Sequence, residues 1–126
     1  MTTTTSGQAS RLRALGEYGE RVAERHLCEQ GLIPLDHNWR CTDGEIDLVL
    51  RDGDTLVVCE VKTRSSEQAG TPHEAVDADK LDRLRRLAQR WSEDHDLRPP
   101  AVRIDLVAVV RPPRGPARVE HVRGLV

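Results

Sequence analysis

The sequence predicts an α/β domain in which helices flank a central mixed sheet, and three observations carry that expectation. Apolar residues recur at helical spacing near the N-terminus and again between Ala78 and Trp91. Between those helices, Glu45 to Lys62 reads as two β-rich runs separated by Asp52-Gly53, the turn dipeptide suited to a tight hairpin. A strongly apolar run, Val102 to Val110, follows the second helix. At 126 residues the chain suits one core and is too short for two.

Residues 1–10 are polar and Thr-rich and read as a disordered tail ahead of a single domain over 11–126. Leu12, Leu15, Gly19, Val22, Ala23, His26 and Leu27 then mark an amphipathic helix from about Arg11 to Gln30, which Gly31 stops. Leu32 to Cys41 reads as a first strand, interrupted by Pro34. Glu45 to Leu50 alternates, with Ile46, Leu48 and Leu50 on one side and Glu45, Asp47 and Val49 on the other. Thr55 to Lys62 returns, so the three strands make an antiparallel meander. After a polar loop, Thr71-Pro72-His73-Glu74 has the form of a helix start, with Thr as cap, Pro first and Glu closing a capping box. Ala78, Leu81, Leu84, Leu87, Ala88 and Trp91 continue that helix, and Arg98 to Pro100 ends the connection. Val102 to Val110 is a strand containing Asp105, and a Pro/Gly/Arg turn at 112–116 leads to a last strand, Arg118 to Val122.

Composition removes some functions. Phe is absent, and Tyr18, Trp39 and Trp91 are the only aromatics, too few for base stacking to be the main grip on single-stranded nucleic acid. The net charge of −2 is uninformative, but its distribution is not. Lys80, Arg83, Arg85, Arg86 and Arg90 crowd one helix, and from Arg98 onward six arginines stand against Asp105 and Glu120 alone. Such runs are either solvated faces or a duplex-binding surface. Cys28, Cys41 and Cys59 show no paired spacing, which fits reduced thiols in a cytoplasmic protein, with Cys59 as a small core hydrophobe. No stretch resembles a membrane span or a signal peptide.

The hairpin concentrates the chemistry. With Asp52-Gly53 as its turn, Arg51 faces Asp54, Asp47 faces Val58, and Glu60 is a diagonal neighbour of Asp47 on the same face. Diagonal neighbours lie roughly 7–8 Å apart at Cα, close enough for two carboxylates to share a hard divalent cation. Lys62, two residues beyond Glu60, projects from that face too. Such a set can neutralise charge on a phosphate and activate or position water. Glu20 borders the apolar stripe of the first helix and can point toward the sheet, whereas Glu17 and Glu24 lie further round toward solvent. A lone Glu-x-Lys is usually a surface ion pair, so the convergence of several charges on one face carries the argument. Asp105 reads as a buried partner for an Arg rather than a site member, and Glu74 as a cap rather than a companion of His73 at the site. His26, His37, His95 and His121 lack ligand-like spacing.

Gly44-Glu45-Ile46-Asp47-Leu48-Val49 followed by Glu60-Val61-Lys62-Thr63-Arg64 resembles the motif of the PD-(D/E)xK nuclease superfamily. More narrowly, the chain resembles the YraN family of bacterial proteins, named as endonucleases and similar to Holliday junction resolvases. Gly19-Glu20 with Ala23, Asn38-Trp39-Arg40-Cys41, Gly70-Thr71-Pro72 with Ala75-Val76, and Arg103-Ile104-Asp105-Leu106-Val107 also match, so the resemblance runs from about Leu15 to Val122. It implies a restriction endonuclease-like αβββαβ core. It also implies Asp47 and Glu60 as metal ligands, Lys62 as the catalytic lysine, and Glu20 as the helix-borne acid that completes the metal set. Ile46 stands where the motif has Pro, and Cys59 where relatives often carry a bulky aromatic. The expected function is a Mg2+- or Mn2+-dependent endonuclease acting on DNA, with branched or flapped DNA as candidate substrates and a homodimer suited to them. The alternative is a non-catalytic module that binds nucleic acid or a repair partner on a nuclease scaffold.

Overall fold

A computed structural model describes residues 3–65 and 76–125, with side-chain surroundings given from residue 7 onward. The elements run α1 (Thr3–Glu29), β1 (Ile33–Cys41), β2 (Gly44–Asp52), β3 (Thr55–Arg64), α2 (Ala78–Asp94), β4 (Ala101–Val110) and β5 (Arg118–Val122). The strands form one sheet in the order β1-β2-β3-β4-β5, in which only β3 and β4 are parallel. The α2 crossover between β3 and β4 is what allows that parallel pair. The result is the expected mixed sheet with two helices, consistent with an αβββαβ core.

The two helices seal opposite faces of the sheet because β3 is apolar on both. Leu56 and Val58 pack with Ile46, Val49 and Ile104 against Leu81, Leu84, Leu87, Ala88 and Trp91 of α2. Val57 and Cys59 pack with Leu48, Leu50, Val107 and Val109 against Ala23 and Leu27 of α1. A strand buried on both sides reads as a continuous apolar run rather than an alternation, which is what Leu56-Val57-Val58-Cys59 does. Cys59 is fully buried, as its place in that run implied.

Three boundaries differ from expectation. α1 begins at Thr3, upstream of Arg11. Once its packed turns exist, each added residue gains a hydrogen bond, so the polar segment is carried as an exposed extension, Gln8 to Ala14 lying in solvent. α2 is capped by Asp77, whose Oδ1 accepts from the Lys80 N–H at 2.8 Å. The Thr71 to Glu74 cap reading lies outside the described residues, as does His73. Finally, the hairpin pairs Asp52 with Thr55, so Gly53 and Asp54, not Asp52 and Gly53, form the turn. Gly53 has φ +60 while Asp54 is not left-handed, the pattern of a turn with glycine at its first central position. Pro34 is tolerated because β1 is an edge strand, with a register irregularity between Pro34 and Asp36. Among the described residues, no helix is long and apolar enough to cross a membrane.

Candidate active site

The shifted turn slides the hairpin register by two residues, which moves Asp47 along β3 without changing the face it is counted to. Leu48 pairs with Cys59, so by count Asp47 comes opposite Glu60 rather than Val58. The ladder between β2 and β3 ends at that Leu48–Cys59 pair. Beyond it the strands part, and the Asp47 carboxylate occupies the fork: its Oδ2 accepts from the Val61 N–H at 2.8 Å. The side chain takes the place of the next ladder bond. Alternation breaks at this point, since Ile46 and Val49 both pack on the α2 side while Leu48 and Leu50 pack toward α1.

This carboxyl is in an unusual state. Burial, then the charge of Glu60, push it up to about 7, and Glu20 and Glu45 add to the rise. The hydrogen bond from the Val61 N–H opposes them. Two carboxylates held together out of water, with too few donors, make a place where a cation would be stabilising.

Glu60 leans to the α2 side, where its Oε1 lies 2.6 Å from the Lys80 ammonium. Lys62, two residues on, shares that face of β3 and is exposed. Lys80 was visible in the sequence only as part of a basic run. Its position in the first turn of a helix that returns over β3 was the missing signal, because the length of the intervening loop hid which strand residue it would meet.

Glu20 is positioned differently. α1 can approach β3 closely only because residue 19 is glycine: a Cβ there would stand 1.7 Å from Thr63 Oγ1. The next residue, Glu20, opens onto a cleft of about 320 Å³ with Glu17, Arg21, Glu24, His37, Asn38 and Leu48. With the Asn38 amide turned so that its nitrogen faces Glu20, it donates to both carboxylate oxygens at 3.2 and 3.3 Å. Asn38 adopts φ +50, a left-handed conformation that asparagine tolerates better than most residues. Burial raises the Glu20 carboxyl, and Glu45 and Glu17 add to it against the Asn38 bond and His37. The charge of Glu20 in turn adds to the rise at Asp47. Among the described residues, no group of three His, Cys, Asp or Glu side chains converges into a metal cluster. The structure thus brings Asp47 and Glu60 together, places Lys62 beyond them, and leaves Glu20 on its own cleft.

Asp105 has its arginine. Fully buried, it receives Arg103 Nε at 2.9 Å and Nη2 at 3.1 Å, the Gly124 N–H at 2.9 Å, and contacts His121 Nε2 at 2.8 Å. Arg103 also reaches Asp52 at 2.8 Å, which Arg123 contacts as well. His121, unremarkable in sequence, is thus part of this network.

Comparison with known sequences places these residues in context. The profile described as "Uncharacterised protein family UPF0102" matches residues 19–109, a span that includes Glu20, Asp47, Glu60, Lys62 and Lys80. A UPF0102 protein of Nocardioides sp. (strain ATCC BAA-499 / JS614) is 61% identical over 122 residues, covering 97% of this chain and 98% of the relative. One from Kineococcus radiotolerans is 61% identical over 113 residues, with 89% and 93% covered. One from Streptomyces coelicolor is 55% identical over 114 residues, with 89% and 88% covered.

Proposed function

The chain belongs to the UPF0102 family, the YraN family of its resemblance, and on the geometry of its fork we propose that it is a metal-dependent endonuclease of PD-(D/E)xK type that hydrolyses DNA phosphodiester bonds. One observation carries this reading: Asp47, drawn into the fork beside Glu60 with the Val61 N–H as its hydrogen-bond donor and pushed up to about 7, is a carboxylate that a bound cation would stabilise. The donor set fits Mg2+ or Mn2+. Both are hard ions that accept carboxylate oxygens, and Mg2+ keeps several waters, so two protein carboxylates suffice.

Asp47 and Glu60 would hold the ion, which when bound neutralises charge on the phosphate and lowers the pKa of water. Val61, by donating to Asp47, fixes the orientation of that carboxylate. Lys62 presents its ammonium at the exposed end of the same strand, where it can contact the phosphate and orient the attacking water. Glu20, held by Asn38, acts on the site through its charge and adjusts the field at Asp47.

The Glu60–Lys80 ion pair favours a second reading, a nucleic-acid-binding module whose carboxylates are already partly neutralised from within. One experiment decides between them. Labelled linear, single-stranded, flapped and four-way DNAs are incubated with Mg2+ and then Mn2+. The nuclease reading expects cleavage of at least one substrate, its loss in Glu60→Ala, and a fall of about two to four orders of magnitude in Lys62→Ala with DNA affinity little changed. Binding without cleavage under both metals selects the second reading.

A further inference from the structure

Two lysines neighbour Glu60, and they are in different states. Lys62 is exposed, and among the described residues no hydrogen bond or ion pair involves its ammonium. Lys80 is drawn in: its side chain is 33% exposed, that of Glu60 13%, and the charged atoms are 2.6 Å apart. The location is otherwise unfavourable for a cation. Lys80 stands in the first turn of α2, where the helix dipole favours negative charge, as Asp77 and Asp79 supply. A lysine here is explained by what it reaches and not by its helix.

What it reaches is half of the carboxylate pair read above as a cation site. An ammonium and a divalent cation repel each other, and sharing one half-buried carboxylate brings them to within a few ångströms. Lysine, a point charge on a flexible four-carbon stem, can leave such a contact without disturbing the helix that bears it. Resting on the reading of Asp47 and Glu60 as that site, we infer that Lys80 is the resident counter-cation of Glu60, displaced when Mg2+ or Mn2+ enters and then available to a phosphate of the bound DNA. Lys80 therefore sets the cation concentration at which the pair loads and ties loading to substrate binding. It is a positioning residue for Glu60 in the empty protein and a phosphate contact in the loaded one.

Mn2+ binding, measured by titration calorimetry without DNA, tests the first half. Lys80→Met should bind Mn2+ about 3–10-fold more tightly than wild type, and Lys80→Arg should stay near wild type. DNA affinity tests the second half, measured in the Lys62→Ala background where cleavage is slow. There Lys80→Met should weaken DNA binding with Mn2+ present and leave it unchanged without. If Lys80 only anchors α2, Lys80→Met lowers the thermal midpoint while Mn2+ affinity stays put, and that result overturns the inference. Equal weakening of DNA binding with and without Mn2+ overturns the release step. Should Lys80→Met fail to fold, Lys80→Gln is read the same way. If neither wild type nor the Lys80 variants bind Mn2+, the cation-site reading itself fails, whereas wild-type binding that the variants do not shift sinks this inference alone.

Discussion

Asp47 and Asp105 are carboxylates withdrawn from water on either side of β3, and their acidities move in opposite directions. Asp105 is the more deeply buried by solvent exposure, and burial pushes its carboxyl upward. Arg103, the Gly124 N–H and His121 together outweigh that push and hold it below the ordinary range. Asp47 has one N–H donor and carboxylates for neighbours, so burial and Glu60 carry it to about 7. Depth does not separate the two; the number of donors does. A buried charge that is fully answered belongs to the scaffold, and one left unanswered marks a site that a ligand completes.

The largest effect should come from breaking the answered side. Asp105→Asn removes the charge that Arg103 and His121 share and leaves Arg103 half-buried without its bidentate partner. A loss of about 3–5 kcal/mol is expected in urea unfolding. A loss under about 1 kcal/mol would show that Asp52 takes over the arginine and that the network is redundant.

On the unanswered side the sign reverses. The folded Asp47 carboxyl titrates at about 7, above its unfolded value of 3.8, so its ionisation opposes folding. That penalty is full above about pH 7, is relieved as pH falls, and is gone below about pH 4. Asp105, lowered in the fold, contributes stability above its unfolded value and loses it as pH falls through the folded one. Asp47→Asn should therefore stabilise the protein at about pH 8, by at most roughly 4 kcal/mol, and the gain should shrink toward about pH 4. It should also abolish any rise in thermal midpoint on adding Mn2+. Equal midpoints for wild type and Asp47→Asn at about pH 8 would place the Asp47 carboxylate in water and end the contrast.

A smaller effect tests how the α1 side is held. Gly19→Ala puts a methyl group into Thr63, and overpacking of this kind costs about 1–3 kcal/mol, offset in part by the better helix propensity of alanine. The double variant Gly19→Ala/Thr63→Ala, which removes both Oγ1 and Cγ2 from the contact, should recover some of the loss. Without any recovery, the tight contact is not what sets the helix position.

The helical stripe from Leu81 to Trp91 and the strands from β2 to β5 were legible in sequence because each is a local pattern that the core then reads out. Asp105's arginine was legible for the same reason, since Arg103 and Asp105 are two apart on one strand. The hairpin turn lies one residue beyond its expected place, as Asp52-Gly53 and Gly53-Asp54 both satisfy turn chemistry. The resulting register shift is even, so Asp47 and Glu60 stayed on the same counted face. What local pattern could not convey was the parting of β2 from β3 beyond Leu48, which turns Asp47 into the strand gap. Nor could it convey the pairing of Asn38 with Glu20 or of Lys80 with Glu60. Each of these depends on how separate elements settle against one another.

The parallel pairing of β3 with β4 also has a consequence for how the chain is made. It joins Thr55 to Ala101 and Arg64 to Val110, across the whole of α2. A nascent chain that has emerged only as far as α2 holds its central strand, Leu56-Val57-Val58-Cys59, with one edge unpaired. Such an apolar edge is a template for association between molecules. Chains ending before Ala101 should accumulate in the insoluble fraction even though they carry Asp47, Glu60, Lys62 and Lys80, because the strand that bears the chemistry is completed by a segment synthesised only after α2.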